Sequence, residues 1–156
     1  MIILVFISIF LLVIFAVFLP KRISKIEIYA TSFFAYSFGV TIDIVLNFKY
    51  DLYGYGSEGA QIYTTFCIII VYFSINTLYL NYFPISKKLP YKIIYILVWS
   101  IFSILYEAFI LHTDMFYYNG WKLWYSFLLY PIIFSILFFN WLVVKKLLLK
   151  YIQKSV

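Results

Sequence analysis

Long apolar runs, separated by short basic clusters, constrain this chain more than any other feature of its sequence. One run covers residues 2–19 and a later one covers residues 93–111. At about 1.5 Å per residue in a helix, each run reaches at least ~27 Å, close to the ~30 Å hydrocarbon thickness of a bilayer. Only 12% of the 156 residues are charged, whereas a soluble domain has about a quarter. The sequence therefore predicts an integral membrane protein that forms a single all-α bundle.

Five transmembrane helices are expected, at residues 2–19, 26–48, 60–83, 91–112 and 121–144. Pro20 and Pro84 end the first and the third, because proline has no backbone N–H to continue a helix. The connections at 49–59 and 113–120 contain glycines and are predicted to be turn-rich loops. Since all the connections are short, consecutive helices are expected to be antiparallel neighbours. The sequence shows no internal repeat.

The basic residues predict the orientation of the bundle. Ten of the twelve lysines and arginines lie in three clusters, at residues 21–25, 87–92 and 145–154. Cytoplasmic loops of membrane proteins are enriched in such residues, so we expect the N-terminus outside and the C-terminus in the cytoplasm. The first helix has its charges after the apolar run and is expected to be an uncleaved anchor. Because the clusters flank apolar runs, they are expected to contact anionic lipid headgroups and no nucleic acid. The sequence identifies no protein partner.

Two acidic residues inside the predicted helices are the strongest candidates for function. An ionised carboxylate at mid-bilayer costs at least ~2.5 kcal/mol on insertion scales, so each one requires a reason. Asp43 and Glu107 both lie about five residues before the outer end of their helices, hence at similar depth. Each belongs to a helical stripe of polar or small residues, which is typical of a face that contacts other helices. The candidate polar site consists of Asp43, Glu107, Asn47, Ser103 and His112.

Two interpretations of these acids remain open at this point. They either bind a ligand in a cavity near the outer leaflet or hold helices together through hydrogen bonds to polar neighbours. No nucleophile–base pair, metal-binding spacing or cofactor motif is visible, so we predict no catalytic residue, resident metal or cofactor. Trp121 and Trp124 are predicted to be interfacial anchors at the outer surface.

Residues 43–141 resemble an uncharacterised family of small polytopic membrane proteins of spore-forming and related Gram-positive bacteria. The residues that carry this resemblance are Asp43, Tyr82-Phe83-Pro84, Trp99, Glu107, Tyr118-Asn119-Gly120-Trp121, Trp124 and Ser126. Lys122 stands where the family usually has a polar amide, which weakens a ligand role at that position. The resemblance implies a location in the bacterial plasma membrane and no particular reaction.

The function expected from the sequence is therefore binding, sensing or transport of a cation, a proton or a small polar ligand in an outer-leaflet cavity. The alternative is a structural or accessory subunit that docks onto a larger complex. An intramembrane enzyme is the third possibility.

Overall fold

The structure of the protein, a computed structural model, describes residues 2–56 and 61–154, without the side chains of residues 61–63. Five α-helices account for most of it, as the sequence predicts. They are α1 (Ile2–Phe18), α2 (Lys25–Asp43), α3 (Gln61–Asn81), α4 (Leu89–Ile110) and α5 (Leu123–Lys154). A π-helical segment, Ile44–Lys49, continues α2, and two short strands, β1 (Tyr53–Tyr55) and β2 (Phe116–Tyr118), lie in the connections.

Four helices in the described part of the chain are long and apolar enough to cross a membrane. These are α2 with its π-helical continuation, α3, α4 and α5, whereas α1 is a shorter apolar helix of 17 residues. The fifth helix is much longer than its predicted span of 121–144, because it has 32 residues and continues to Lys154. At about 1.5 Å per residue it is roughly 48 Å long and exceeds the ~30 Å hydrocarbon layer.

The start of α2 shows how sequence determines local structure at one end of the bundle. Ser24 and Glu27 form a capping box, in which Ser24 Oγ accepts from the Glu27 backbone N–H and Glu27 Oε2 accepts from that of Ser24. The other carboxylate oxygen, Oε1, accepts a hydrogen bond of 2.9 Å from Trp141 Nε1. Glu27 is only 8% exposed and so connects the first turn of α2 to α5.

The helices do not pack in sequence order. α3 packs between α1 and α2, and α5 packs between α2 and α4. The expected pairing of consecutive helices is therefore found for α2–α3 and α4–α5. It is not found for the other two pairs, because α1 packs along α3 and not along α2, and α3 and α4 have little contact with each other.

The basic clusters lie at one end of the bundle, here called the lysine end. Arg22 contacts α3 there, since its backbone N–H donates to Asn81 Oδ1 at 2.6 Å and its guanidinium lies 5.2 Å from the Tyr82 ring centre. Aromatic side chains fill the interior at this end. The buried ones are Tyr79, Phe83, Phe134 and Trp141, with Tyr95, Trp99 and Phe138 packed against them.

A small antiparallel sheet, here called the cap, covers the opposite end. Its strands β1 and β2 pair Tyr53 with Tyr118 and Tyr55 with Phe116. Because side chains alternate along a strand, these four lie on one face of the sheet. That face is turned towards the bundle, since Tyr53 is 6% and Phe116 is 9% exposed. The two connections predicted as turn-rich loops thus pair with each other across about 60 residues of sequence.

Candidate functional site

A cavity lies between the cap and the aromatic interior of the lysine end. Its volume is about 260 Å³, and all five helices and the cap contribute to its wall. Most of the wall is apolar, including Ile68, Ile133 and Leu129. Asp43 and Glu107 both line this cavity. The structure therefore brings together the two acids that the sequence selected on separate helices.

Asp43 accepts hydrogen bonds from three tyrosine hydroxyls. Tyr53 and Tyr55 of the cap donate to Oδ1 at 2.7 Å and 3.0 Å. Tyr72 of α3 donates to Oδ2 at 2.8 Å. The carboxylate at the end of α2 thus connects the cap to α3.

Gly39 makes room for the last of these contacts. A Cβ atom at this position would lie 2.8 Å from the Tyr72 ring, closer than atoms pack. Since Gly39 precedes Asp43 by one helical turn, the missing side chain lets the Tyr72 ring lie against α2 with its hydroxyl at the carboxylate.

Glu107 also accepts from three hydroxyls. Oε1 accepts from Ser126 at 2.7 Å and from Tyr118 of the cap, and Oε2 accepts from Tyr130 at 2.7 Å. Ser126 Oγ in turn accepts from Trp121 Nε1 at 2.8 Å. Glu107 is 8% exposed, so this set of donors replaces water around a buried carboxylate.

The two carboxylates are held in the same way by successive parts of the chain. In each case a helix ends near the acid, a tyrosine of the following strand donates to it, and a tyrosine of the next helix donates as well. The corresponding donors are Tyr55 and Tyr118 in the strands and Tyr72 and Tyr130 in the helices. The sheet register has the same symmetry, because Tyr55 occupies the position in β1 that Tyr118 occupies in β2. This structural repeat is not visible in the sequence.

The cap tyrosines remain hydrogen-bond donors over a wide pH range. Burial, together with the neighbouring Asp43, raises the pKa of Tyr53 far above its usual value near 10. Burial and the hydrogen bond to Glu107 raise the pKa of Tyr118 in the same direction. Both hydroxyls are therefore protonated at neutral pH and available to the carboxylates.

Asn76 adds a third polar group to the cavity wall. Its amide nitrogen donates to Thr31 and Ser32 of α2 at 3.0 Å and 3.1 Å. Its Oδ1 is buried and has no hydrogen-bond partner among the described residues, and the residue is 1% exposed. An unpaired buried amide oxygen is costly. Asn76 is not among the site residues predicted from the sequence.

The remaining predicted site residues have mixed positions. Ser103 lines the cavity and is 8% exposed. Asn47 lies in the π-helical segment and His112 is exposed beyond α4, so neither is part of the cavity wall. His112 Nδ1 lies 2.8 Å from the Ala108 carbonyl oxygen. Of the two predicted anchors, Trp124 is 56% exposed, whereas Trp121 lines the cavity.

Among the described residues, no group of three or more His, Cys, Asp or Glu side chains is placed to hold a metal ion. Comparison of the chain with protein-family models, with curated proteins and with solved structures gives no match. The interpretation of the cavity therefore depends on its own geometry.

Proposed function

We propose that this protein is a multi-pass protein of the bacterial plasma membrane that binds a small molecule in the cavity between its helices. The observation that carries the proposal is the placement of Asp43 and Glu107 on the wall of one cavity of about 260 Å³. An engineered cavity of ~150 Å³ in another protein binds benzene, so the volume is sufficient for a bicyclic aromatic molecule. Binding is the common step of the sensing and transport roles expected from the sequence.

The chemistry of the wall defines the class of ligand. Its polar groups include two carboxylates, which are acceptors, and the hydroxyls that donate to them. The rest of the wall is mainly apolar. The ligand that fits has an apolar body and a donor group, such as an ammonium or a hydroxyl, at one end. A bare cation fits less well, because it would have to replace the hydroxyl donors of the carboxylates without covering the apolar wall.

The orientation in the membrane follows from the lysine end. Its ten basic residues favour the cytoplasmic side, where they contact anionic lipid headgroups. The cap then faces outwards, with α1 as a fifth, shorter span. In this orientation the carboxylates lie near the outer leaflet.

Thermal unfolding in detergent with three matched probes tests the proposal. Naphthylmethylamine has the required shape and charge, methylnaphthalene lacks the donor, and naphthylacetate has the opposite charge. We expect the amine alone to raise the melting temperature, because a ligand that binds only the folded state stabilises it. Equal shifts with all three probes, or none with the amine, would contradict the proposed ligand class.

Two variants separate the cavity from other binding surfaces. Ile133→Trp fills part of the cavity without changing a carboxylate, and we expect it to remove the shift caused by the amine. Asp43→Asn and Glu107→Gln keep the shape of the acids but remove their charge, and we expect each to reduce the shift. A shift that survives in Ile133→Trp would place the amine outside the cavity.

A structural role is the second candidate, and the three hydroxyl donors on each carboxylate favour it. If the acids only connect the helices to the cap, Asp43→Leu and Glu107→Leu will be much less stable than wild type. The amide variants will then lose less stability than the leucine variants, because an amide keeps one acceptor oxygen, and no probe will shift the melting temperature. The same set of melting curves therefore distinguishes the two candidates.

A further inference from the structure

The route into the cavity is restricted at both ends of the bundle. At the lysine end, the aromatic side chains of Tyr79, Phe83 and Trp141 are 6% exposed or less and fill the space between the helices. At the other end, Tyr53 and Tyr118 hold the cap against Asp43 and Glu107. Opening the cap breaks several hydrogen bonds to carboxylates, which are about twice as strong as bonds between neutral groups.

The cavity wall is held together by fewer polar contacts on the side formed by α1. α3 and α4 contact each other near the lysine end, where the Tyr79 and Tyr95 rings stack at 5.6 Å and the Tyr95 hydroxyl donates to the Tyr79 carbonyl. Towards the cap, side chains of α1 pack against both α3 and α4. Its Val5 and Ile9 line the cavity there.

The contacts that hold this part of α1 are mostly apolar. Val5 and Ile9 pack with Met115 and with side chains of α3 and α4. Ser8 Oγ lies 2.9 Å from Tyr106 Oη of α4. Since Ser8 already donates to the Val5 carbonyl at 2.7 Å, the Tyr106 hydroxyl is the donor of this bond. The outer face of α1 is highly exposed, as at Phe10 with 65%, and in a bilayer it contacts lipid.

We propose that the ligand reaches the cavity sideways from the bilayer, by displacement of the N-terminal half of α1 from α4. Moving α1 exchanges apolar protein contacts for apolar lipid contacts, so its free-energy cost is low, whereas opening the cap breaks bonds to carboxylates. The ligand class narrows accordingly to amphipathic molecules dissolved in the membrane, with the donor group near the headgroups and the apolar body in the acyl chains. This inference assumes the cavity ligand of the proposed function.

Labelling of a cysteine inside the cavity tests the route without any ligand. The parent protein is Cys67→Ser with Ser103→Cys, because Ser103 is buried in the cavity wall. In lipid vesicles it is exposed either to bilayer-soluble cyclohexylmaleimide or to a charged maleimide on both sides of the membrane. We expect only the bilayer-soluble reagent to react. Ile133→Cys is the second labelling position, for use if Ser103→Cys does not fold.

Two matched variants of this parent then separate the routes, since each removes one hydroxyl. Tyr106→Phe removes the bond to α1, and Tyr53→Phe removes a bond between the cap and Asp43. We expect Tyr106→Phe to accelerate labelling by the bilayer-soluble reagent about two- to ten-fold. The variant loses one hydrogen bond that stabilises the closed state, and the population of the open state rises by about this factor. Tyr53→Phe should leave that rate unchanged. Because the thiol is the same in both, its intrinsic reactivity cancels.

Each other outcome overturns the lateral route. Faster labelling by the charged reagent in Tyr53→Phe, with no effect of Tyr106→Phe, would show that the cavity opens to water through the cap. No labelling by the bilayer-soluble reagent at either position would show that α1 does not open. These results do not depend on the melting shift caused by naphthylmethylamine. A shift without lateral opening therefore contradicts only this inference, and lateral opening without a shift contradicts only the proposed function.

Discussion

The residues that hold each carboxylate come from distant parts of the sequence. Asp43 on α2 accepts from the cap and from α3, and Glu107 on α4 accepts from the cap and from α5. The acids could be predicted, because a carboxylate in an apolar helix is expensive and must have a reason. Which of the 17 tyrosines donate to them could not be predicted, because the sequence does not show how the two strands of the cap pair.

The two oxygens of Asp43 have different numbers of donors, so we expect removal of different donors to cost different amounts of stability. Among the described residues, Tyr72 is the one donor to Oδ2, whereas Tyr53 and Tyr55 share Oδ1. Tyr72→Phe should therefore destabilise the protein by about 1.5–3 kcal/mol, the range for a hydrogen bond to a charged group. Tyr55→Phe should cost clearly less, because Tyr53 still donates to the same oxygen. Chemical or thermal unfolding in detergent measures both.

Tyr151→Phe is the control for these variants, because Tyr151 is 74% exposed near the end of α5 and should be neutral. Equal losses of stability for Tyr72→Phe and Tyr55→Phe would show that the two oxygens are not distinguished as the hydrogen bonds indicate.

The elements show a similar division between what sequence predicts and what it does not. The helices follow from long apolar runs, so their number and approximate positions could be predicted. The cap could not, because β1 and β2 have three residues each and pair across about 60 residues of sequence. A pattern of three residues is too short to distinguish a strand from a loop, and the glycines of the first connection indicate a turn. The repeat of helix, strand and helix is hidden for the same reason.

At the scale of the helix pair α2–α3, Gly39→Ala tests whether the close approach of Tyr72 matters. Alanine is better than glycine in a helix by about 1 kcal/mol, so an isolated helix would gain stability. Here the new Cβ would lie 2.8 Å from the Tyr72 ring, which must shift away from Asp43. We expect a net loss of thermal stability and a smaller melting shift with naphthylmethylamine.

Ser37→Ala is the matched control on α2, because Ser37 is exposed half a turn away and has no role in this contact. It should be neutral or slightly stabilising. A stability gain in Gly39→Ala equal to that expected from helix propensity would mean that the Tyr72 ring moves without cost. Gly39 would then have no role in positioning Tyr72 at Asp43.

On the scale of the whole molecule, the two ends of the bundle differ, because one carries the basic clusters and the other carries the cap. The sequence predicts that the basic clusters share one end, because it gives both their positions and the order of the apolar spans between them. The order of packing could not, since α1 packs along α3 and not along the helix that follows it. The cavity depends on that order, because α1 contributes Val5 and Ile9 to its wall and packs there against α3 and α4. A sequence that predicts five spans therefore leaves open which of them enclose a site.

Single-cysteine labelling in intact bacterial cells tests the proposed orientation of the bundle. In a Cys67→Ser background, Asp114→Cys reports on the cap end, and Lys88→Cys and Lys150→Cys report on the lysine end; all three positions are exposed. We expect a membrane-impermeant maleimide to label position 114 in intact cells and to label positions 88 and 150 only after permeabilisation. The reason is the excess of lysine and arginine at the end that carries 88 and 150, which favours the cytoplasmic side. Labelling of position 88 in intact cells without labelling of position 114 would reverse the orientation. It would place the carboxylates near the inner leaflet, so that a membrane-dissolved ligand would reach them from the cytoplasmic half of the bilayer.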